Sequence, residues 1–322
     1  MKVSLPILRP SEWFERHSVF GRERKYFAMY SSVAGGIICE PGAMMVPLDD
    51  HLVHRGDGIF EAMRIHERAI FDLDAHLQRL VKSAAAIHLE LPAPLATIRD
   101  ILLQTARAAD QDMGTLRMFV SRGPGSFSVS PNDTVGTQLY VVVTDLHTPN
   151  LALYQKGVQV ILSKTPQKPY PFAQIKSCNY LPNVLMKRES LAAGADFAVG
   201  VTGEGFLAEG PTENFFFIDS EQNFVYPNFD YTLAGTTLIR VAELAKTLVS
   251  DGMLKSVVSK NLTMADLRQA REGAMVGTTL GVLPIRDFAG VQWPAPGVVC
   301  THLARLFKNE LQSNEQIRTS WT

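Results

Sequence analysis

Lys176 and Glu209 are the residues whose type and setting most invite a chemical reading. Lys176 stands alone in the polar run Phe172-Ala-Gln-Ile-Lys-Ser-Cys-Asn-Tyr180, directly after the proline-broken residues 166–171. A loop lysine is most often a solvated cation, but its neutral amine can also attack a carbonyl carbon. Glu209 stands where the apolar Phe206-Leu207-Ala208 meets the turn pair Gly210-Pro211. An exposed turn glutamate needs no explanation, whereas a buried one needs a cation or hydrogen-bond donors. One amine and one buried carboxylate could address the two ends of a single flat cofactor.

The elements that must position these groups can be read from spacing. Residues 181–193 carry helical apolar spacing that ends at Gly194, and residues 197–201 read as a strand. A hairpin is predicted to return the chain as a strand over 206–218, with Glu209 on it. Further on, Gly235-Thr236-Thr237 precedes a helix predicted over 238–249, so backbone N–H groups, hydroxyls and the positive dipole end could face an anion. Met275 to Pro284 reads as strand and turn, with the hydroxyls of Thr278 and Thr279 at the turn.

Earlier in the chain, an aspartate N-cap in Phe71-Asp-Leu-Asp74 is expected to start a helix over 75–84. His76 and Arg79 share a face of it. A hairpin is predicted from Tyr26 through Cys39, and Gly56-Asp-Gly58 leads into a strand with Phe60, Ala62 and Arg64 on one face. A helix over 94–109 then precedes strands over 115–122 and 138–144, which flank the Gly-Pro loop 123–131. Asp145 to Asn150 has linker composition. The expected division is therefore a small domain over 1–148, including an N-terminal arm over 1–25, and a large domain over 149–322.

Composition excludes several function classes. The 322 residues, 46% of them hydrophobic, can bury a large core, and a net charge of −1 with scattered Lys and Arg offers no face for nucleic acid. The three cysteines lack CxxC spacing, which argues for a reducing compartment and against a structural zinc site. The eight histidines form no metal-ligand pattern. Gly56-x-Gly58 lacks the third glycine of a dinucleotide fingerprint, and neither a Walker A motif nor a Gly-x-Ser-x-Gly elbow occurs. No apolar run approaches the ~20 residues of a membrane helix, and a cytoplasmic location is expected.

Lys176-Ser-Cys-Asn-Tyr180-Leu, Lys187-Arg188-Glu189, Gly194-Ala-Asp196, Glu209-Gly210, Asn214-Phe215 and His76-x-x-Arg79-Leu together resemble the class IV, or fold-type IV, pyridoxal-phosphate aminotransferases. That family holds branched-chain aminotransferases, D-amino-acid transaminases and aminodeoxychorismate lyases, and the similarity covers most of the chain. The resemblance implies an α+β fold of two domains, the second with a β-barrel-like core, and a cofactor between them. It also implies a homodimer that moves an amino group between an amino acid, branched-chain-like or of the D-series, and a 2-oxo acid.

By this resemblance Lys176 is the catalytic amine that carries pyridoxal 5'-phosphate and Glu209 the anion at its ring nitrogen. Tyr180 would contact the ring's phenolic oxygen, and Arg79, Gly235, Thr236, Thr237 and Thr278 the phosphate. Phe60, Ala62, Arg64 and Arg117 are the candidates for substrate binding. Two departures bear on specificity. Phe127-Ser128-Val129 stands where well-known D-alanine transaminases carry an Arg-x-His pair, and Ala62 and Arg55 replace the glycine and tyrosine usual in branched-chain enzymes. An aminodeoxychorismate lyase and a cofactor-holding relative without turnover are the alternatives.

Overall fold

The structure, a computed structural model, describes residues 5–21 and 24–321. The arm contains a helix, Pro10–Gly21; residues 1–4, 22 and 23 of it lie outside the described residues. No described helix is long and apolar enough to cross a membrane. The chain forms two compact units: Met1–Ile70 with Leu89–Leu146 and Ser320–Thr322, and Phe71–His88 with His147–Thr319.

In the first unit the strands are β1 (Tyr26–Ser31), β2 (Gly36–Ile38), β3 (Gly58–His66), β4 (Ala69–Phe71), β5 (Met113–Ser121) and β6 (Gln138–Thr144). They run in the order β4-β3-β5-β6-β1-β2. Strand β3 alternates as a half-buried strand should: Ile59, Met63 and Ile65 are fully buried, while Phe60, Ala62 and Arg64 are partly open. The helix Leu95–Ala109 buries Ile98, Leu102, Thr105, Ala106 and Ala109, a stripe at helical spacing.

The second unit is built on β7 (Val158–Leu162), β8 (Phe197–Val199), β9 (Asn214–Asp219), β10 (Asn223–Pro227), β11 (Ser256–Lys260), β12 (Ala270–Gly277) and β13 (Gly281–Phe288). Their order is β11-β10-β9-β12-β13-β7-β8. Leu207 forms isolated bridges to Val201, just past β8, and to Leu262, just past β11. The two edges of the sheet thus meet through one residue, which gives the unit its barrel-like core. The apolar run Phe215-Phe216-Phe217-Ile218 shows why β9 does not alternate. Phe215 and Phe217 pack with Val225, Met275 and Leu283, whereas Phe216 and Ile218 pack on the opposite side with Phe224, Val241 and Leu303. A strand covered on both faces reads as a continuous apolar run.

Three expectations are corrected. Residues 71–88 lie within the predicted small domain, yet they belong to the second unit. The Asp72 N–H donates to Ile317 O at 2.6 Å and Phe71 packs edge-on against Phe307, ring centroids 5.5 Å apart, so this stretch is anchored to the C-terminal part of the unit. The helix starts at Leu73, two residues before the predicted start. Asp72 at its N-cap is left-handed (φ 54°) and makes no side-chain cap bond, so Asp74 lies in the first turn. Finally, Glu209 is not on a strand. Beyond the bridge at Leu207, Ala208 N–H still donates to Gly200 O and Gly200 N–H to Glu209 O, both at 2.9 Å; the chain then turns, with the Gly210 N–H donating to Glu213 O at 2.7 Å, and the next strand begins at Asn214. Pro211 supplies no N–H for a ladder there.

Candidate active site

Lys176 follows the short 3-10 turn Phe172–Gln174, and its backbone N–H donates to Ser83 Oγ at 3.3 Å. This bond ties the lysine loop to the helix Leu73–Ala86. Tyr180 is the N-cap of the helix Leu181–Ala192, whose Asn183 is buried and donates from Nδ2 to Pro211 O at 2.6 Å. Lys176, Tyr180, Asn183, Glu209, Asn214 and Lys168 line one cavity with about 20 Å³ of open space.

Glu209 is 8% exposed, and both of its carboxylate oxygens are hydrogen-bonded. Its Oε2 accepts from Leu233 N–H at 3.0 Å and Asn214 Nδ2 at 3.2 Å, and its Oε1 accepts from Gln167 Nε2 at 3.3 Å. Burial pushes its carboxyl up to about 7; Lys168, then the Leu233 N–H, then Lys176 oppose that rise. The neutral donors orient the carboxylate without fully compensating its lost hydration. A protonated ring nitrogen is the kind of partner such a group calls for. Burial, followed by the Glu209 and Glu213 carboxylates, also pushes the Tyr180 phenol up, so it stays a neutral donor.

A second group forms around the start of the helix Thr236–Ser250. Gly235 is its N-cap, with no side-chain cap bond, and Thr236 and Thr237 are buried. A Cβ at Gly235 would run into Asn214 Oδ1, so only glycine lets the turn pass beside the asparagine that holds Glu209. His76 Nε2 lies 3.3 Å from Thr236 Oγ1, its Nδ1 lies 3.4 Å from Arg79 Nη2, and Arg79 Nη1 donates to Ala234 O at 3.1 Å. Because a guanidinium only donates, the Nδ1 contact requires His76 to carry its proton on Nε2. Arg79 lines a neighbouring cavity of about 230 Å³ with Ser83, Ile175 and Thr232. Ile175 lines both cavities. An open helix start with a buried arginine beside it suits a phosphate.

The structure therefore brings Lys176, Tyr180 and Glu209 together, and separately gathers Arg79, Gly235, Thr236 and, through His76, a contact between them. Thr278 lies in the turn between β12 and β13 and lines neither cavity. Phe60, Ala62, Arg64 and Arg117 are in the first unit. There the β3–β5 register sets Phe60 opposite Phe119, Ala62 opposite Arg117 and Arg64 opposite Thr115. Directly opposed residues share a face, so all four candidates lie on the more open face of that sheet. Sequence reading passed over Lys168, Gln167 and Asn214 as site residues. Gln167 and Lys168 sit in a proline-rich stretch without periodicity, and Asn214 reads as an interior residue of the predicted strand 206–218, whereas in the structure it opens β9.

Residues 58–288 match the amino-transferase class IV family. The chain is 39% identical over 291 residues to a chloroplastic D-amino-acid transaminase of Arabidopsis thaliana, a match covering 90% of this chain and 76% of the relative. It is 26% identical over 280 residues to a D-alanine aminotransferase of Bacillus licheniformis, covering 86% and 96% of the two chains. The fold is that of the branched-chain amino acid aminotransferase from Thermobaculum terrenum, solved in its PLP-bound holo form. The TM-score is 0.80 at 20% identity, over 93% of this chain and 99% of that one. An amine and a buried carboxylate in one cavity, with an anion-ready helix start in the same unit, fit the chemistry that pyridoxal phosphate demands. The chain belongs to the class IV aminotransferases and is a pyridoxal-phosphate-dependent transaminase.

Proposed function

We propose that this enzyme moves the amino group of a small D-amino acid to a 2-oxo acid. The observation that carries the catalytic part is the convergence of Lys176, Tyr180 and Glu209 on one cavity. The D-hand is supported by the similarity to the Arabidopsis transaminase over nine-tenths of the chain. Pyridoxal phosphate, when bound, supplies the electron sink for bonds at the substrate's Cα. Lys176 carries the cofactor and moves the proton at Cα as base and acid. Glu209 keeps the ring nitrogen protonated, and Tyr180 donates to the phenolic oxygen. Arg79, Thr236, Thr237 and the Gly235 turn hold the phosphate, with Thr278 as a further hydroxyl.

In the loop 123–131, Phe127 and Val129 are exposed, and Arg55 donates to the Phe127 carbonyl. The residues standing where some relatives carry Arg-x-His are thus a phenylalanine and a valine, neither able to pair with a carboxylate. Arg64, on the face shared with Phe60 and Ala62, is the proposed partner of the substrate carboxylate. Mixing the enzyme with paired L- and D-amino acids and following loss of the cofactor's absorbance band tests both parts. D-alanine or another small D-amino acid is expected to discharge the band. Arg64→Ala is expected to raise KM by roughly 10- to 150-fold, the equivalent of a lost charged hydrogen bond of ~1.5–3 kcal/mol, with cofactor affinity kept. Exclusive response to L-amino acids, or release of pyruvate from aminodeoxychorismate without transamination, would refute the substrate assignment.

The enzyme is further proposed to be a homodimer. On the helix Leu181–Ala192, Leu181 (70% exposed), Val184 (58%), Leu185 (40%) and Leu191 (66%) leave a mostly apolar stripe, with the exposed Arg188 among them, open on the second unit. Such a stripe on an element that also carries Tyr180 at its cap marks a surface to be covered, and symmetric pairing is the commonest way to cover one. Light scattering is expected to give twice the chain mass, and Val184→Glu with Leu191→Glu to give monomers. A fully active wild-type monomer would rule the dimer out.

A further inference from the structure

The oxygens of an ionised carboxyl can each accept two hydrogen bonds. In Glu209 both positions of Oε2 are taken, by Leu233 N–H at 3.0 Å and Asn214 Nδ2 at 3.2 Å, whereas among the described residues Oε1 accepts from Gln167 Nε2 alone, at 3.3 Å. The position left for a further donor is therefore on Oε1. Glu209, Asn214 and Leu233 line the cavity of Lys176, and Gln167 is not among its lining residues. Gln167 thus holds Oε1 without standing in the space a ligand would use.

The carboxamide of Gln167 is itself fixed. Its Nε2 also donates to Tyr231 O at 3.2 Å, so each amide proton has an acceptor, and exchanging the amide's nitrogen and oxygen would set a carbonyl against two oxygens. Its backbone N–H donates to Val201 O at 3.4 Å. Glu189 holds the residues before it, accepting from Ser163 Oγ at 2.9 Å, Lys164 N–H at 2.6 Å, Thr165 N–H at 3.0 Å and Thr165 Oγ1 at 2.6 Å. Gln167 Oε1 rests against Gly200, where an added Cβ would lie 2.7 Å from it. Gly200 also pairs with the backbone that carries Glu209, its N–H donating to Glu209 O and its carbonyl accepting from Ala208 N–H, both at 2.9 Å. The lack of a side chain at Gly200 lets the carboxamide and the glutamate it holds approach one another.

We propose that Glu209 Oε1 is the oxygen that receives the cofactor's ring N–H, and that Gln167 is the residue holding that oxygen in place for it. This inference rests on the assignment of Glu209 to the ring nitrogen. Gln167 is a positioning residue, acting through Glu209 and not on the substrate. Without it the carboxylate stays pinned at Oε2 by Leu233 and Asn214 but can pivot there, and the free position on Oε1 loses its direction.

The test is a double-mutant cycle of Gln167→Met with Glu209→Gln, read both as turnover and as the dissociation constant of pyridoxal 5'-phosphate titrated into cofactor-free protein. Methionine keeps the length of glutamine and removes the donor. Gln167→Met is expected to lower turnover by about 10-fold or more, the scale on which the hydrogen-bond partners of a functional ligand act, and to weaken cofactor binding in the same direction. In the Glu209→Gln background the same change is expected to cost less than about 2-fold in either readout, because no carboxylate remains to be aimed. Gly200→Ala crowds the carboxamide with Gln167 and Glu209 both present, and is expected to repeat this background dependence. Wild-type behaviour of Gln167→Met overturns the proposal, as does an equal cost in both backgrounds, which would indicate packing and not aim. Impaired Glu209→Gln beside an unimpaired Gln167→Met removes only the role of Gln167. Wild-type turnover in Glu209→Gln removes the assignment to the ring nitrogen and this inference with it.

Discussion

Lys176→Ala is expected to lower transamination by at least ~10⁴-fold, the upper end of what a positioned acid–base group contributes, because the same amine also carries the cofactor. The fold should be indifferent to the change. The side chain is half-buried in a loop, and the bond from its backbone N–H to Ser83 Oγ survives in alanine. A thermal melt within about 0.5 kcal/mol of wild type is expected. Borohydride reduction of the loaded enzyme followed by peptide mapping makes the assignment sharp, because two lysines line the cavity. A pyridoxyl group fixed to Lys168 and not to Lys176 would overturn the reading.

Glu209→Gln is expected to lower turnover by ~10²- to 10³-fold, the range seen when one preorganised electrostatic group is removed. The amide retains the size of the carboxyl but cannot hold a proton on the ring nitrogen. It also turns one acceptor into a donor where Leu233 N–H, Asn214 Nδ2 and Gln167 Nε2 all donate. Stability of the cofactor-free protein should move the other way. Burial pushes the folded carboxyl up to about 7 from an ordinary value of 4.5, so between those values the folded protein binds more protons than the unfolded chain. Its stability therefore falls as pH rises through that window and levels off above it, a loss on the order of 3 kcal/mol. Glu209→Gln should accordingly melt higher than wild type at pH 8, with the difference shrinking toward pH 4. A Gln variant with wild-type turnover would show that Glu209 does not face the ring nitrogen. A melting difference independent of pH would show that its charge is well compensated before the cofactor arrives.

The residue types of the site were legible in the sequence because each is announced locally. A lysine in a polar loop before a helical repeat, a glutamate at a Gly-Pro turn, an arginine one turn from a histidine and a Gly-Thr-Thr helix start are patterns within a few residues of each other. The alternation of Phe60, Ala62 and Arg64 was legible for the same reason, as a period of two is a local property of a strand. Register across strands is not local, and only the pairing of β3 with β5 put Arg117 on the same face.

What the tertiary structure decided involves partners far apart in the chain. Arg79 reaches Ala234 across 155 positions and His76 reaches Thr236 across 160, contacts that move the stretch 71–88 from the predicted small domain into the second unit. Leu207 joins the ends of β8 and β11, and two residues on Glu209, its backbone oxygen still accepting from Gly200 N–H, has its carboxylate held by Gln167, Asn214 and Leu233. Lys168 had no announcing pattern at all. Its place on the cavity wall, over the Tyr180 ring, goes with the Glu189 clamp and the Gln167 contact, both made across two dozen or more residues. Propensity and periodicity report on neighbours in sequence, whereas the charge surrounding a buried carboxylate depends on which distant segments the closed sheet brings to it.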